Sequence, residues 1–370
     1  ARAQDQPRGP HEASRVVDHD AYEWRRPDYR ARPLAGAVIY EMHPGTFTPG
    51  GTLASAIERL DHLAELGVTH VELMPLNGYD GEHGWGYDGV NWFAPHRPVT
   101  GPDGPDAVKR FVDACHERDL AVILDVVYNH LGPSGNYLSE FGPYFTGAYH
   151  TPWGDALNLD DAHSDEVRRY ICHNALMWLR DYRFDALRLD AVHAFHDRSA
   201  EHLLEQIARE VHELAVRIGR PLAVIAESDL NDPRVVRHPT AGGYGCDAQW
   251  SDDFHHALHA LLTGEQVGYY LDFGRMEHLA RALTNAYVYD GVYSPHRKRR
   301  HGAPPTGLNG SSFLGYIQNH DQIGNRAQGD RLSTIVPEEA MKTAHAIVFC
   351  SPFVPMIFQG EEWAASTPFL

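Results

Sequence analysis

The chain has 370 residues, of which 43% are hydrophobic and 22% charged, a composition that fits a folded protein with a large core and excludes a disordered segment. Its 50 acidic residues outnumber its 32 basic residues, and the formal charge of −18 argues against nucleic acid as a partner because phosphate polymers would be repelled. No apolar stretch approaches the ~18 residues of a membrane span, so no membrane partner is predicted.

The cysteines indicate a reducing compartment. Cys115, Cys172, Cys246 and Cys350 are widely spaced and form no CxxC pair, which indicates neither a zinc site nor a disulfide framework. The polar N-terminus lacks the apolar core of a signal peptide, so we expect a cytoplasmic protein. Because the chain does not begin with Met, we also expect it to be a fragment of a longer protein.

Strands and helices alternate along the chain after a polar start. Residues 1–36 are rich in Pro, Arg and Asp without periodicity and are expected to form a linker, or a strap on a neighbouring surface. From Ala37 onward, apolar runs predict eight strands, at 37–42, 68–74, 121–127, 184–189, 223–226, 247–250, 313–318 and 354–358. Helical spacing predicts helices at 53–67, with Thr52 as N-cap and Gly67 as the stop, and at 106–118, 164–181, 199–218, 254–262 and 337–349.

This alternation implies parallel strand pairing, and eight strands are the number that closes a (β/α)8 TIM barrel. We therefore expect an α/β fold of this class over residues 37–370, with an open doubly wound sheet as the alternative. The chain ends soon after the last predicted strand, so the last helix of the barrel is expected to be absent. Two connections, 131–163 and 264–312, are too long for turns and are predicted to be loop insertions over the C-terminal face of the strands.

Three carboxylates follow predicted strands: Asp190 after FDALRL, Glu227 after VIA and Asp321 after IQNH. Strand ends converge at one mouth of a parallel barrel, so carboxylates far apart in sequence can meet around a single bond. Two of them suffice for glycoside hydrolysis, in which one attacks the sugar carbon and the other protonates the leaving oxygen. Any one alone would more often be a helix N-cap or a surface charge, but the three together predict one active site.

Neighbouring residues support these roles. Arg188 precedes Asp190 by two residues on the same strand face, where its guanidinium can keep a nucleophilic carboxylate ionised and oriented. Partial burial at a strand end would favour the protonated form of Glu227, which a general acid needs. Asp321 could accept hydrogen bonds from sugar hydroxyls and oppose the positive charge of an oxocarbenium-like transition state. His193, three residues after Asp190, is a candidate for the leaving-group side of the cleft.

Other polar and aromatic residues allow two interpretations. The aromatic residues of the two loop insertions could stack on sugar rings or fill local cores. The basic cluster HRKRRH at 296–301 favours a solvated loop, with an oligosaccharide or phosphate contact as the alternative. The histidines could form a transition-metal site, since His193 and His196 lie three apart and three more share one predicted helix, at 255, 256 and 259. No Cys or carboxylate is placed to complete a tetrahedral set, so we expect neither a metal nor a cofactor.

Four short segments stand out together: LDVVYNH at 124–130, FDALRLDAVH at 184–193, VIAESD at 224–229 and QNHD at 318–321. In order and spacing they resemble the four signature regions of the α-amylase family of glycoside hydrolases and transglycosidases. The resemblance implies a catalytic set in which the nucleophile, the acid/base and the transition-state stabiliser are Asp190, Glu227 and Asp321.

The same resemblance implies substrate-binding residues. The subsite that holds the attacked glucose would be lined by His130, Arg188 and His320, and Tyr87 in GWGYDGVNWFAP would stack on that glucose. Asn129 stands where calcium-dependent members have a metal ligand. No clear acidic cluster accompanies it, so we expect no calcium ion.

A closer resemblance begins at about Ser14 and covers nearly all the rest of the chain. HPGTFTPGGT, GYDGEHGWGYDG and DAQWSDDFHHALHALLTGE are similar to those family members that hydrolyse the α-1,4 bond next to the terminal α,α-trehalose of a maltooligosyltrehalose and release trehalose. It implies retaining hydrolysis, with maltooligosyltrehalose or a related α-glucan as partner. The N-terminal and C-terminal β domains typical of those members are expected to be absent. The alternatives are a glycogen-branching transglycosidase, a general α-amylase and, more remotely, a noncatalytic glucan-binding barrel.

Overall fold

Eight parallel strands close into a barrel in this computed structural model, which describes residues 2–370. Nearly all their residues are buried, as expected for parallel strands covered on both faces. The predicted (β/α)8 barrel is confirmed, and the open-sheet alternative is wrong. The barrel strands are Ile39–Met42, His70–Leu73, Ala121–Val126, Ala186–Leu189, Ala223–Ala226, Ala248–Trp250, Phe313–Gly315 and Val354–Phe358.

Helices lie between the strands and in the longer connections. Across residues 2–370, none of them is both long and apolar enough to cross a membrane. The helices are Pro44–Phe47, Leu53–Ile57, Leu60–Leu66, Arg97–Thr100, Pro105–Glu117, Ser164–Asp181, Leu203–Ile218, Asp252–Thr263, Met276–Asn285, His320–Gly324, Leu332–Ile335 and Glu338–Cys350.

The helix predicted for 53–67 is interrupted. It consists of two helices, Leu53–Ile57 and Leu60–Leu66, yet both predicted ends are confirmed. The Thr52 side chain accepts a hydrogen bond from the backbone N–H of Ser55, 3.2 Å away, as an N-cap does. Gly67 ends the second helix with a φ of 89°, a left-handed conformation that glycine adopts without steric cost.

The helix predicted to begin at Ser199 begins at Leu203. The Asp197 carboxylate accepts the backbone N–H groups of Ser199, at 2.8 Å, and of Leu203, at 2.6 Å, and so holds the intervening residues in a turn. Arg168 donates to the same carboxylate at 2.6 Å. The helical periodicity of the sequence therefore extends to residues that precede the helix, because a side-chain acceptor holds them in a turn.

Two compact units make up the chain. The first comprises the stretch that ends at Arg32 together with Met42–Glu227, and the second comprises Pro33–Glu41 and Ser228–Leu370. Within the first unit, the strand register sets Asp125 directly opposite Arg188 on the neighbouring strand. This pairing builds the polar centre described below.

The N-terminal segment of the first unit packs on the helix Pro105–Glu117. Tyr29 is buried and stacks on His116, with 3.9 Å between ring centroids. The backbone N–H of Arg25 donates to Asp113 at 3.1 Å. The predicted domain boundary at residue 36 stays a prediction.

Both predicted loop insertions contain regular structure. The segment 131–163 includes a hairpin of the strands Phe145–Thr151 and Gly154–Leu157. The segment 264–312 includes the helix Met276–Asn285 and a short hairpin, Tyr293–Ser294 with Arg299–Arg300. Glycines and aromatic residues mask the periodicity of these elements, which is why the sequence predicted loops.

Candidate active site

One buried arginine connects the polar centre of the first unit. Arg188 Nη1 donates to Asp125 Oδ2 at 2.7 Å and to Asp190 Oδ1 at 2.8 Å, and its Nη2 lies 3.3 Å from Glu227 Oε2. The guanidinium is 2% exposed, whereas the Asp190 and Glu227 side chains are 13% and 16% exposed. The structure thus brings together three of the predicted site residues and leaves the two candidate catalytic carboxylates within reach of solvent.

Asp125 is a site residue that the sequence analysis did not single out. It is 1% exposed, faces Arg188 across the strand pair, and also accepts the Tyr87 hydroxyl at 2.6 Å. The predicted sugar-stacking residue Tyr87 is therefore anchored to the same network through its hydroxyl. One signal in the sequence could have identified Asp125: it is the only acidic residue in the otherwise apolar strand Ala121–Val126. A carboxylate buried in such a strand needs a polar or charged partner.

Asn129 orients Asp190. Its Nδ2 donates to Asp190 Oδ2 at 2.7 Å and to the Asp190 backbone oxygen at 2.9 Å. With Arg188 on Oδ1, both carboxylate oxygens of Asp190 have a fixed donor. Asn129, for which the family resemblance implied the position of a calcium ligand, therefore orients the predicted nucleophile. Within residues 2–370, no group of three or more His, Cys, Asp or Glu side chains is arranged to hold a metal ion.

Glu227 is oriented by a turn that follows Asp190. Its Oε2 accepts the backbone N–H of Ala191 at 2.6 Å. Ala191 has a φ of 42°, in the left-handed region that disfavours a residue with a Cβ by about 1–2 kcal/mol. This turn leads into the 3₁₀ helix Val192–Ala194, and the backbone N–H of Val192 donates to the Glu227 carbonyl at 3.0 Å. The two strands that lead into Asp190 and Glu227 are thus hydrogen-bonded to each other just past their ends.

The charge of Arg188 is secured by its surroundings. Burial by itself lowers the pKa of a guanidinium, but Asp125, Tyr87, Glu227 and Asp190 outweigh burial and raise the pKa of Arg188 well above its usual value. A permanently charged donor in a dry environment interacts strongly with the carboxylates that it contacts. The site therefore has a fixed positive centre between its acidic groups.

His130 and Trp153 form a stacked pair. Their ring centroids are 4.4 Å apart with an angle of 6° between the planes, and Trp153 is 48% exposed. The His130 ring also contacts the Asn129 side-chain oxygen, so it belongs to the network around Asp190. Burial lowers the pKa of His130, which favours a neutral ring at neutral pH. Trp153 comes from the hairpin of the first insertion, and nothing in its local sequence distinguished it from the other aromatic residues there.

His193 is exposed on the 3₁₀ helix directly after Asp190. Its predicted role at the leaving-group side stays a prediction.

The second unit contains the other two predicted site residues. His320 is buried, its backbone N–H donates to Glu41 Oε2 at 3.0 Å, and its ring Nδ1 hydrogen-bonds Glu41 Oε1. Asp321 follows in the first turn of the helix His320–Gly324 and stays partly exposed. Glu41, from the first barrel strand, was not singled out from the sequence, because its partner is 279 residues away. The meeting of Asp321 with Asp190 and Glu227 stays a prediction.

The three histidines of the helix Asp252–Thr263 form a buried aromatic cluster. His255 and His256 share a hydrogen bond of 3.0 Å between their Nδ1 atoms, and His259 stacks on Tyr270 at 4.5 Å. Burial, with the nearby His259 and Arg297, lowers the pKa of His256 to about 3. These rings act as neutral packing groups, so protonation of the cluster opposes folding.

We expect this cluster to make stability depend on pH. The pKa of His256 is about 3 in the folded chain and roughly 6.5 when unfolded, so its contribution is intact above pH 6.5 and is lost progressively as the pH falls toward 3. At pH 5 the loss is about 2 kcal/mol relative to neutral pH. The free energies of unfolding of the parent and of a His256→Gln variant are measured in urea. The difference between them should shrink by about 2 kcal/mol from pH 7 to pH 5, because only the parent loses the contribution of His256.

A comparison with the parent is needed because two carboxyls act in the opposite direction. Burial raises the pKa of Asp252 to about 7 and that of Asp253 to about 6, so their protonation favours the folded chain as the pH falls. Both carboxyls are present in the parent and in the His256→Gln variant. Their contributions therefore cancel in the difference between the two free energies of unfolding. A constant difference between pH 7 and pH 5 would show that His256 does not carry the effect.

A closed barrel of alternating strands and helices with acidic residues at the strand ends defines a class of (β/α)8 proteins whose sites lie at the C-terminal face. The chain belongs to the α-amylase family: the sequence model of the alpha amylase catalytic domain matches residues 15–149, and close relatives span almost the whole chain. The fold-class prediction and the family resemblance are both confirmed.

The names of individual relatives are more specific than that of the family. A protein of Arthrobacter ramosus named malto-oligosyltrehalose trehalohydrolase is 57% identical over 98% of this chain and 63% of its own length. One of the same name from Rhizobium sp. (strain M-11) is 51% identical over 99% of this chain and 61% of its own length. A crystal structure from Salmonella typhimurium, described as an alpha amylase, matches with a TM-score of 0.93 and 42% identity over all of this chain and 62% of its own. The chain thus spans less than two thirds of these relatives.

Proposed function

We propose that the chain is the catalytic barrel of a retaining glycoside hydrolase that cleaves the α-1,4 bond next to the terminal trehalose of a maltooligosyltrehalose. One observation carries the chemistry: the single guanidinium of Arg188 contacts both Asp190 and Glu227. A retaining mechanism needs two carboxyl groups about 5 Å apart, a separation that one bridging guanidinium allows. The names of the relatives supply the substrate.

In the proposed first step, an Asp190 oxygen attacks the anomeric carbon of the glucose that precedes trehalose. The bond from this carbon to the bridging oxygen breaks, Glu227 gives its proton to that oxygen, and trehalose leaves. In the second step, Glu227 takes a proton from water, the water oxygen attacks the same carbon, and the bond to Asp190 breaks. Asn129 and Arg188 support this cycle because they hold both oxygens of Asp190 in place.

The remaining predicted residues are assigned by the family resemblance. Asp321 is proposed to stabilise the oxocarbenium-like transition state, and His130, Arg188 and His320 to line the subsite of the attacked glucose, on which Tyr87 stacks. His193 is proposed for the leaving-group side. No cofactor takes part in the proposed cycle. The four free cysteines support a reducing compartment, and we propose the cytoplasm.

The product spectrum tests this proposal. The chain is incubated with maltotriosyltrehalose and, separately, with maltopentaose, and the products are separated by chromatography. We expect free trehalose and maltotriose from the first substrate and little cleavage of the second. An inactive Asp190→Asn variant serves as the control for contaminating hydrolases.

Other results of these assays would indicate a different activity. Equal cleavage of both substrates would indicate a general α-amylase. A change in the iodine stain of amylose without release of trehalose would indicate a branching transglycosidase, in which a sugar hydroxyl accepts the glycosyl group in place of water. Binding of either glucan without any turnover would indicate a noncatalytic barrel.

A further inference from the structure

The second insertion presents an exposed apolar edge close to Asp321 in the second unit. Within five residues, Val267 is 80% exposed, Tyr269 is 40% exposed and Leu271 is 50% exposed. The residue between the last two, Tyr270, is buried, so this stretch is anchored although its apolar side chains face water.

Tyr269 is held rigidly within this edge. Its ring stacks on His256 at 4.6 Å with 23° between the planes, and it meets Tyr270 edge to face at 4.6 Å. Its hydroxyl donates to Gln322 Oε1 at 3.1 Å. One face of the Tyr269 ring lies against His256, and its hydroxyl is held by a hydrogen bond. Because the side chain is already ordered, a ligand that stacks on the rest of the ring does not lose free energy by immobilising it.

Gln322 places this ring next to the proposed catalytic machinery. It directly follows Asp321, and its backbone N–H donates to the Asn319 side chain, the N-cap of the helix that carries both residues. Its Oε1 is also 3.4 Å from the Tyr270 hydroxyl. The edge and the Asp321 helix are therefore joined by hydrogen bonds through one glutamine side chain.

We propose that Tyr269 is a sugar-stacking platform that binds a glucose unit of the α-glucan substrate alongside Asp321. The apolar face of a pyranose ring fits a flat aromatic surface. This inference deepens the proposed function, because it takes the ligand from it. It concerns glucan binding and requires no turnover.

Binding to an inactive chain tests the platform. The parent is the full chain carrying Glu227→Gln, titrated with maltoheptaose by calorimetry. We expect Tyr269→Ala in this background to raise the dissociation constant about tenfold, which corresponds to about 1.4 kcal/mol of lost stacking free energy. Tyr269→Phe keeps the ring and loses only the tether to Gln322, so it should stay within about threefold of the parent. Tyr293→Ala, which removes another exposed tyrosine of the same insertion, should have no effect.

The readouts separate stacking from a structural role. If Tyr269 only supported folding, its removal would lower the fraction of competent protein, and thus the stoichiometry, while the dissociation constant stayed the same. That result, or a parent that does not bind maltoheptaose, would overturn the platform. If Tyr269→Ala weakens binding while the active chain releases no trehalose from maltotriosyltrehalose, the platform stands and the proposed function fails.

Discussion

Replacing Asp190 with Asn is expected to lower the release of trehalose by about 10⁴-fold or more, because the amide cannot form the covalent bond to the anomeric carbon. The fold should persist, since the amide has the size of the carboxylate and the backbone contacts of this position to Asn129 and Val126 are unchanged. Turnover is measured with maltotriosyltrehalose, and folding by circular dichroism and the thermal midpoint. A variant with more than a hundredth of the parent activity would exclude Asp190 as the nucleophile.

Glu227→Gln is the matched control, because it separates the two carboxylate roles. With α-maltotriosyl fluoride the leaving group needs no proton, so this variant should still expel fluoride in the first step. The second step lacks its base, and we expect a burst of about one fluoride per active site followed by slow release. Asp190→Asn should show no burst. The same behaviour in both variants would contradict the assignment of nucleophile and acid/base.

Replacing Arg188 with Leu is expected to destabilise the fold by about 3–5 kcal/mol, the usual effect of removing one partner from a buried ionic group. Asp125, which is 1% exposed, would lose the cation that it faces across the strands. The free energy of unfolding is measured by urea titration with tryptophan fluorescence. Arg188→Lys should recover only part of this loss, because one ammonium cannot present two separate amino groups to the three carboxylates.

Arg169→Leu provides the control for this prediction. Arg169 pairs with Glu166 at 2.9 Å, but both side chains are exposed, so its removal should change the free energy of unfolding by about 1 kcal/mol or less. If Arg188→Leu is no more destabilising than Arg169→Leu, the buried network does not hold the strands together. The comparison isolates the effect of burial, since both variants replace an arginine with a leucine.

Part of the candidate site was predictable because its residues directly follow recognisable strands. Asp190 and Glu227 follow strands whose ends converge in a parallel barrel, and Arg188 precedes Asp190 by two on the same strand face, so the sequence predicted that they act together. The pairing of Arg188 with Asp125 was not predictable, since it depends on the register between strands whose partners are 63 residues apart. The contact of Glu41 with His320 was hidden for the same reason, as was the stacking of Trp153 on His130.

The sequence by itself determined the barrel class, the alternation of its eight strands and the carboxylates at their ends, because apolar periodicity and strand punctuation are local properties. It also carried the family resemblance that the relatives confirm. Only the tertiary structure decided which polar side chains hold those carboxylates, since Asp125, Asn129 and the left-handed Ala191 act across neighbouring strands and turns. A buried charge is stabilised by the groups that surround it in space, and these come from separate strands whose register no local pattern records.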